Sequence, residues 1–268
     1  MVNLTNVVLV DENDAPLGTL EKLEAHRRGL LHRAFSVMLY RKNPASYKIE
    51  QGDSAKSFPL EEHFGLTSSL VEEHSGLTSF LVEEGRVEGM LLPQKMGHPI
   101  PPAPFDEGRV IAQSPSKIEV LLQQRALTKY HGGGLWANTC CSHPFDGESV
   151  EAAAYRRLQE EVFPGVKDVR GFITLNSAGS FIYRAELDQG LIEHEFDHVF
   201  VAEFLGKGGG DGYIPSFNPQ EIATMEWIDL EALINQLENP QNSEKRYAPW
   251  LKEVALKTLN FAKQVSDS

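Results

Sequence analysis

The chain has 268 residues, 41% hydrophobic and 24% charged, enough for one substantial core carrying an insertion. Lysine and arginine total 25 against 38 aspartate and glutamate, and the formal charge of -13 argues against nonspecific nucleic-acid binding, which needs a basic surface. No segment approaches the roughly 18 consecutive apolar residues of a membrane span, and the two cysteines, Cys140 and Cys141, are neighbours that make no disulfide framework.

The opening MVNLTNVVLVDENDAPLG reads as a strand around Val7 to Val10 and a turn from Asp11 to Gly18 rather than a secretory leader, so a cytoplasmic location is expected. A short polar helix or loop carries His26. RAFSVMLY, from Arg33 to Tyr40, is apolar on both alternating faces, the pattern of an inner strand in a covered sheet. Residues 41–117 then form a long polar insertion punctuated by glycine and proline, read as loop or partial disorder. Inside it EEHFGLTSSLV at 61–71 is repeated as EEHSGLTSFLV at 72–82. Two copies are too few for a solenoid, and His63 and His74 read as solvent-facing residues of a duplicated segment rather than metal ligands.

Past the insertion, KIEVLLQQRAL is a strand and turn, GESVEAAAYRRLQEEV a helix, and FIYRAELDQGLIEHEFDHVFVAEF two strands joined through Asp188-Gln189-Gly190. EIATMEWIDLEALINQLE and APWLKEVALKTLNFAKQV are assigned to helices. Strands followed by helices around a covered sheet predict an α/β sandwich in a single domain, 1–268, with the insertion after its second strand.

Two segments break their own patterns. At roughly 100° per residue, Val150, Ala154 and Leu158 form the apolar stripe of the helix starting near Ser149, yet Glu161 falls inside that stripe with Arg157 at its edge. A buried carboxylate needs a metal or a cation, so Glu161 is a candidate ligand; the alternative is an ion pair with Arg157 four residues away. Glu148 and Glu160 are weaker candidates. In LIEHEFDHVF a period of two puts Glu193, Glu195 and Asp197 on one face. Like charges so close call for a cation, unless the face is simply exposed. His26, His32 and His143 offer imidazoles to complete a mixed nitrogen and oxygen site for manganese, iron or zinc, magnesium preferring oxygen alone. Cys141, two residues before His143, would exchange a proton if a nearby metal or cation lowered its pKa; the alternative is a buried filler.

LLQQRALTKYHGGGLWANTCCSHP, followed by GESVEAAAYRRLQEE and IYRAELDQGLIEHE, closely resembles the type I isopentenyl diphosphate isomerases of the Nudix fold. EKLEAHRRGLLHRAFSV and APW extend the likeness to about two-thirds of the chain, in the expected order. The resemblance implies a Nudix-like α/β/α sandwich around a mixed sheet, and an isomerase interconverting isopentenyl and dimethylallyl diphosphate. Cys141 then matches the catalytic cysteine and Glu195 the opposing glutamate. His26, His32, His143, Glu193 and Glu195 match the ligands of one divalent metal (Mn²⁺, Zn²⁺ or Mg²⁺), and Glu161 a residue holding Mg²⁺ against the substrate diphosphate. Lys22, Arg125, Lys129 and Arg157 match cations around that diphosphate, Tyr183 an active-site tyrosine and Trp250 an indole at the hydrocarbon end. For isopentenyl diphosphate, proton delivery falls to the Glu195 and Tyr183 side and removal to a Cys141 thiolate; the reverse reaction exchanges them. The expected partner is the isoprenoid diphosphate alone, without nucleic acid or a membrane span, on a monomer or weak homodimer.

The helix departs from the general Nudix signature, Gly-x5-Glu-x7-Arg-Glu-hydrophobic-x-Glu-Glu-x-Gly. Ser142 stands at the first Gly, Arg157 at the Glu of Arg-Glu and Phe163 at the final Gly. Arg157 removes one acidic ligand, which weakens the competing reading as a hydrolase of nucleoside diphosphate derivatives. A non-catalytic binding protein using the insertion is the other alternative.

Overall fold

A computed structural model of the protein describes residues 6–43, 46–51, 54–59, 110–113, 117–129, 131–187, 190–204 and 215–266. The chain divides into two compact units, Met1–Asn43 with Ser116–Ser268 and Pro44–Pro115. The repeat at 61–82, with His63 and His74, lies outside the described residues.

In the first unit, β1 (Asn6–Val10) turns through Asp11, whose carboxylate accepts from the backbone N–H groups of Asn13 and Ala15 at 2.8 and 2.9 Å, into β2 (Pro16–Glu21). In α1 (Lys22–Arg28) the Glu21 carboxylate caps the start by accepting from Glu24 N–H, and Gly29 ends the helix at φ 60°, in the left-handed region that glycine adopts without strain. His26 is therefore carried on a helix, and His32 follows at the first position of β3 (His32–Asn43).

The second unit holds β4 (Ser46–Gln51), β5 (Ser54–Pro59) and β6 (Val110–Gln113) in an antiparallel sheet of order β5-β4-β6. Within 41–117, read as loop or partial disorder, these strands show sheet at 46–51, 54–59 and 110–113, with 60–109 lying outside the described residues. Tyr47 and Ile49 do alternate with polar residues, but strands this short leave little periodicity to read.

The first unit resumes with β7 (Lys117–Arg125), β8 (Trp136–Ala137), β9 (Cys140–Ser142) and α2 (Val150–Arg157), which widens into a π-helical turn at Leu158–Val162. β10 (Asn176–Glu186), β11 (Ile192–Glu203), β12 (Ile222–Asp229), α3 (Leu230–Glu238) and α4 (Leu251–Ser266) complete it. β12 corrects the helical assignment of EIATMEWID. It pairs antiparallel with β7, with a register shift between Ile222 and Thr224 that blurs its alternation. The helix begins only where Asp229 caps it, accepting from Ala232 N–H at 2.9 Å.

Nine strands form one mixed sheet among the described residues. β3 is its hub: β11 runs parallel on one side, while β1, β9 and β7 pair antiparallel along the other. The period of two sends Phe35, Val37 and Leu39 to the face covered by Ala153, Ala154 and Leu158, and Met38 and Tyr40 to the face covered by α3 and α4. This is an α/β/α sandwich. Each large side chain buried this way stabilises by roughly 1.5–3 kcal/mol, so both faces hold β3 and its neighbours in register. Among the described residues no helix is long and apolar enough to cross a membrane.

The turn from β7 to β8 is packed against itself. A Cβ on Gly133 would stand 2.9 Å from the Leu127 carbonyl oxygen, 3.1 Å from that of Lys129 and 3.2 Å from that of Ala126. Gly133→Ala should therefore lower unfolding free energy by about 1–3 kcal/mol. Gly171→Ala, where the added carbon meets nothing within 4 Å, should change it by a few tenths. Urea denaturation of both variants checks this, and equal midpoints would contradict the crowding argument.

Candidate active site

Strand register assembles the first part of the site. Glu195 on β11 lies opposite His32 on β3 and Tyr183 on β10, so three chemically active residues share one row across the sheet. Glu193, Glu195 and Asp197 form the buried face of β11, at 2%, 7% and 1% exposure, which removes the exposed-acidic-face alternative. Tyr183 Oη donates to Glu195 Oε2 at 2.6 Å. α1 brings His26 within 4.8 Å of His32, ring centre to ring centre, and the segment after β9 brings His143 within 5.0 Å of His32.

The protons of two of these rings are fixed by their neighbours. His26 Nδ1 lies 2.6 Å from the Lys22 carbonyl and His32 Nδ1 2.8 Å from the Leu30 carbonyl. A carbonyl only accepts, so each Nδ1 carries a hydrogen, and Nε2 of the neutral ring is the atom left to bind a metal. Both Nε2 atoms are buried without a hydrogen-bond partner, 3.5 Å from Glu193 Oε2 and Glu195 Oε1 respectively. His143 Nε2 is 2.9 Å from Glu195 Oε1. Burial and the nearby Lys22 charge hold the His143 ring well below the usual histidine range, hence neutral. Donor atoms of His26, His32, His143 and Glu195 lie within 4.8 Å of one another, as do those of His26, His131 and Glu193. Paired buried carboxylates facing unpartnered imidazole nitrogens fit a divalent cation. Asp197 stands apart from this set: it accepts from Ser36 Oγ at 2.7 Å, and burial together with Glu195 raises its carboxyl well above the usual range.

Beside this cluster is a cavity of about 300 Å³ whose lining includes Lys22, Arg125, Lys129, Arg157, Cys141, His143, Glu193, Glu195 and Trp250. All four cations singled out in the sequence converge there, in a wall they share with Glu193, Glu195 and Glu221. Glu161 lies outside the lining. It is fully buried on the π-helical turn, ion-paired to Arg157 Nη2 and 3.7 Å from Cys140 Sγ. The internal ion pair is thus the partner the structure gives Glu161, and it joins neither of the metal-competent clusters among the described residues. Glu148 is held by Arg156, which donates to both its oxygens at 2.8 Å.

The period of two along β9 separates the adjacent thiols. Cys140 packs in the core on the α2 side and meets Glu161, while Cys141 packs toward the α4 side and reaches the cavity. Arg125 Nη1 lies 3.4 Å from Cys141 Sγ. Burial outweighs the Arg125 charge and pushes the Cys141 thiol up to about 11. Near neutral pH Cys141 is a thiol rather than a thiolate. Trp250 is fixed over the cavity by donating Nε1–H to Asn138 Oδ1 at 2.9 Å, with the Tyr183 ring 5.8 Å away.

Three residues of the site escape sequence reasoning. Asn138 donates to the Val37 and Cys140 carbonyls at 3.2 and 2.7 Å, locking β9 while it holds Trp250. His131, at 6% exposure, puts Nε2 2.8 Å from Glu193 Oε1. Glu221 sits in the cavity wall between Lys129 Nζ at 2.5 Å and Arg157 Nη2 at 3.2 Å. Only Asn138 and His131 had a signal, their place inside the block that resembles the isomerases.

The NUDIX domain family model matches residues 108–252. An isopentenyl-diphosphate Delta-isomerase of Photobacterium profundum is 36% identical, the match covering 86% of this chain and 84% of that one. A protein of the same name from Rhodobacter capsulatus is 44% identical over 50% of this chain and 68% of its own. Another, from Aliivibrio fischeri, is 32% identical over 97% of this chain and 98% of its own.

Burial alone would raise the Glu221 carboxyl, but Lys129 and then Arg157 bring it down to about 2, against an ordinary 4.5. A depressed folded-state pKa stabilises above the unfolded value and loses that contribution as pH falls through the folded one. The stability difference between wild type and Glu221→Gln, of order 1 kcal/mol for a partly exposed pair, should hold constant above about pH 5 and shrink toward pH 2. Urea unfolding at pH 7 and pH 3 measures it, and a difference independent of pH would contradict the ion-pair account.

Proposed function

The chain belongs to the NUDIX-fold isopentenyl-diphosphate Delta-isomerases, and from that premise we propose that it interconverts isopentenyl and dimethylallyl diphosphate by a 1,3-proton shift in the cavity lined by Cys141 and Glu195. The observation that carries this reading is the convergence on one cavity of a thiol, a carboxylate hydrogen-bonded to a tyrosine, an indole and four cations.

The substrate alkene is unactivated. Moving its double bond requires adding a proton to the terminal carbon, which leaves a tertiary cation, then removing one from the neighbouring CH₂ so that the C–H electron pair becomes the new double bond. Two groups on opposite faces accomplish this without the substrate turning over. Glu195 with Tyr183 serves one face and Cys141 the other. Trp250 offers its π face to the cation, a contact worth up to about 2 kcal/mol when desolvated. The reaction also requires that water, which would trap the cation, be kept from this end of the cavity.

The proton inventory of the free site bears on direction. Cys141 holds its proton, and Glu195 is ionised because His32 and Tyr183 outweigh the burial that would raise its carboxyl. This is the state left after the Glu195 side has given a proton and Cys141 has taken one. In this mechanism each turnover of isopentenyl diphosphate closes with a proton transfer from Cys141 back to the Glu195 side, through which solvent hydrogen enters. A divalent metal on His26, His32, His143, Glu193 and Glu195 would supply the positive charge that lets two carboxylates stay buried side by side, and would make Glu195 a better acid than base.

Lys22, Arg125, Lys129 and Arg157 bind the diphosphate, a handle that supplies binding energy away from the reacting carbons. Were Arg157 to exchange its carboxylate partner for phosphate oxygens, Glu161 would be the residue left to hold a Mg²⁺ and neutralise charge on the diphosphate.

Incubation with isopentenyl diphosphate and Mg²⁺ in deuterated water should yield dimethylallyl diphosphate with deuterium incorporated. Cys141→Ala should lower turnover by about 10²–10⁴-fold with bound metal unchanged, whereas Glu193→Gln should weaken metal binding. Near-normal turnover by Cys141→Ala, or release of phosphate without isomerisation, would overturn the reading.

A further inference from the structure

We propose that His131 is a positioning residue of the metal site: its Nε2–H donates to Glu193 Oε1 and so turns Glu193 Oε2 toward His26 as a ligand atom. The proposal rests on the metal-site reading above and adds a residue to it.

The two oxygens of Glu193 have different neighbours. Oε1 lies 2.8 Å from His131 Nε2, while Oε2 lies 3.5 Å from the unpartnered His26 Nε2 and 3.5 Å from Tyr183 Oη. A glutamate side chain rotates about several bonds, and Glu195 nearby repels it, so a carboxylate in this place needs one oxygen tethered if the other is to stay on a metal. His131 supplies the tether. Its ring is 5.2 Å from that of His26, centre to centre, and nearly buried.

The turn that carries His131 is itself fixed. Arg125 Nε donates to the Gly132 carbonyl at 3.1 Å and Arg125 Nη2 to the His131 carbonyl at 3.3 Å, and Gly132 at φ 59° makes the bend. One guanidinium thus reaches Cys141, the cavity and the backbone that holds the Glu193 tether. A merely space-filling histidine would not require an N–H at that spot.

The test is Mn²⁺ stoichiometry and affinity, by competition with a chelator, for wild type, His131→Leu, His131→Gln and His131→Asn, each also in a Glu193→Gln background. Removing the tether should weaken Mn²⁺ binding about 10–100-fold in the Leu variant, as is typical for residues that orient a ligand. Gln, whose amide reaches about as far as imidazole Nε2, should restore most of the loss, and the shorter Asn should not. In the Glu193→Gln background His131→Leu should add nothing further. Should the Leu variant fail to fold, the contrast between Gln and Asn decides. Equal affinity in all four proteins, or costs that add fully across the two sites, overturns the tether while leaving the metal site standing. A wild type that binds no Mn²⁺, Co²⁺ or Zn²⁺ overturns both.

Discussion

Two glutamates buried two residues apart on one strand are the constraint to which the rest of the structure answers. Glu193 and Glu195 repel each other and are stripped of water, either of which alone would drive a carboxylate to take up a proton. Yet both are held below the ordinary range, because His131 and His26 face one and His32 and Tyr183 the other. Those partners come from four places in the chain, and the sandwich is what brings them together. The parallel pairing of β3 with β11 sets His32 beside Glu195, and the antiparallel pairing of β10 sets Tyr183 on its other flank. A slip of one residue in either pairing would turn the carboxylates into the opposite face. The packing of Phe35, Val37 and Leu39 against one layer and Met38 and Tyr40 against the other is thus what keeps the carboxylates in place.

The same alternation explains why two adjacent cysteines have unrelated surroundings. Cys140 is fully buried and belongs to the side where α2 delivers Glu161 and Arg157; Cys141 belongs to the side where Trp250 and Tyr183 lie. Asn138 ties the two sides, holding β9 by its amide nitrogen and the indole by its amide oxygen. In the proposed reaction a cation formed beside the indole and a diphosphate held by the guanidinium groups would be kept in separate parts of one small cavity.

What the sequence reveals follows from where periodicity is strong. β3 and β11 are legible because long strands repeat their pattern several times, and the single buried face of Glu193, Glu195 and Asp197 can be read directly. α2 is legible as far as Glu161, although the widening into a π-helical turn is not, since nothing in the residue types marks it. β12 is misread because its bulge breaks alternation and it runs without a turn into α3. His26, His32 and His143 are visible as residues but not as a cluster, which exists only after the strands pair. Glu221 and His131 lie in connections, where no period constrains a side chain, and their roles come from the partners they meet.

Glu221 also changes how the cationic wall is understood. Four basic side chains in one cavity would repel one another strongly if nothing answered them, but Lys129 and Arg157 share Glu221, and Arg157 also holds Glu161. The free site is thus already neutralised in part by its own carboxylates. A diphosphate entering it exchanges internal ion pairs for pairs with phosphate, so its net gain is the difference between the two sets and not the full attraction of four cations. In the proposed reaction that difference would favour a polyanion over a single carboxylate, since the entering group must displace Glu221. The same wall would then hold the diphosphate end of the substrate and leave the thiol, the indole and the tyrosine to the hydrocarbon.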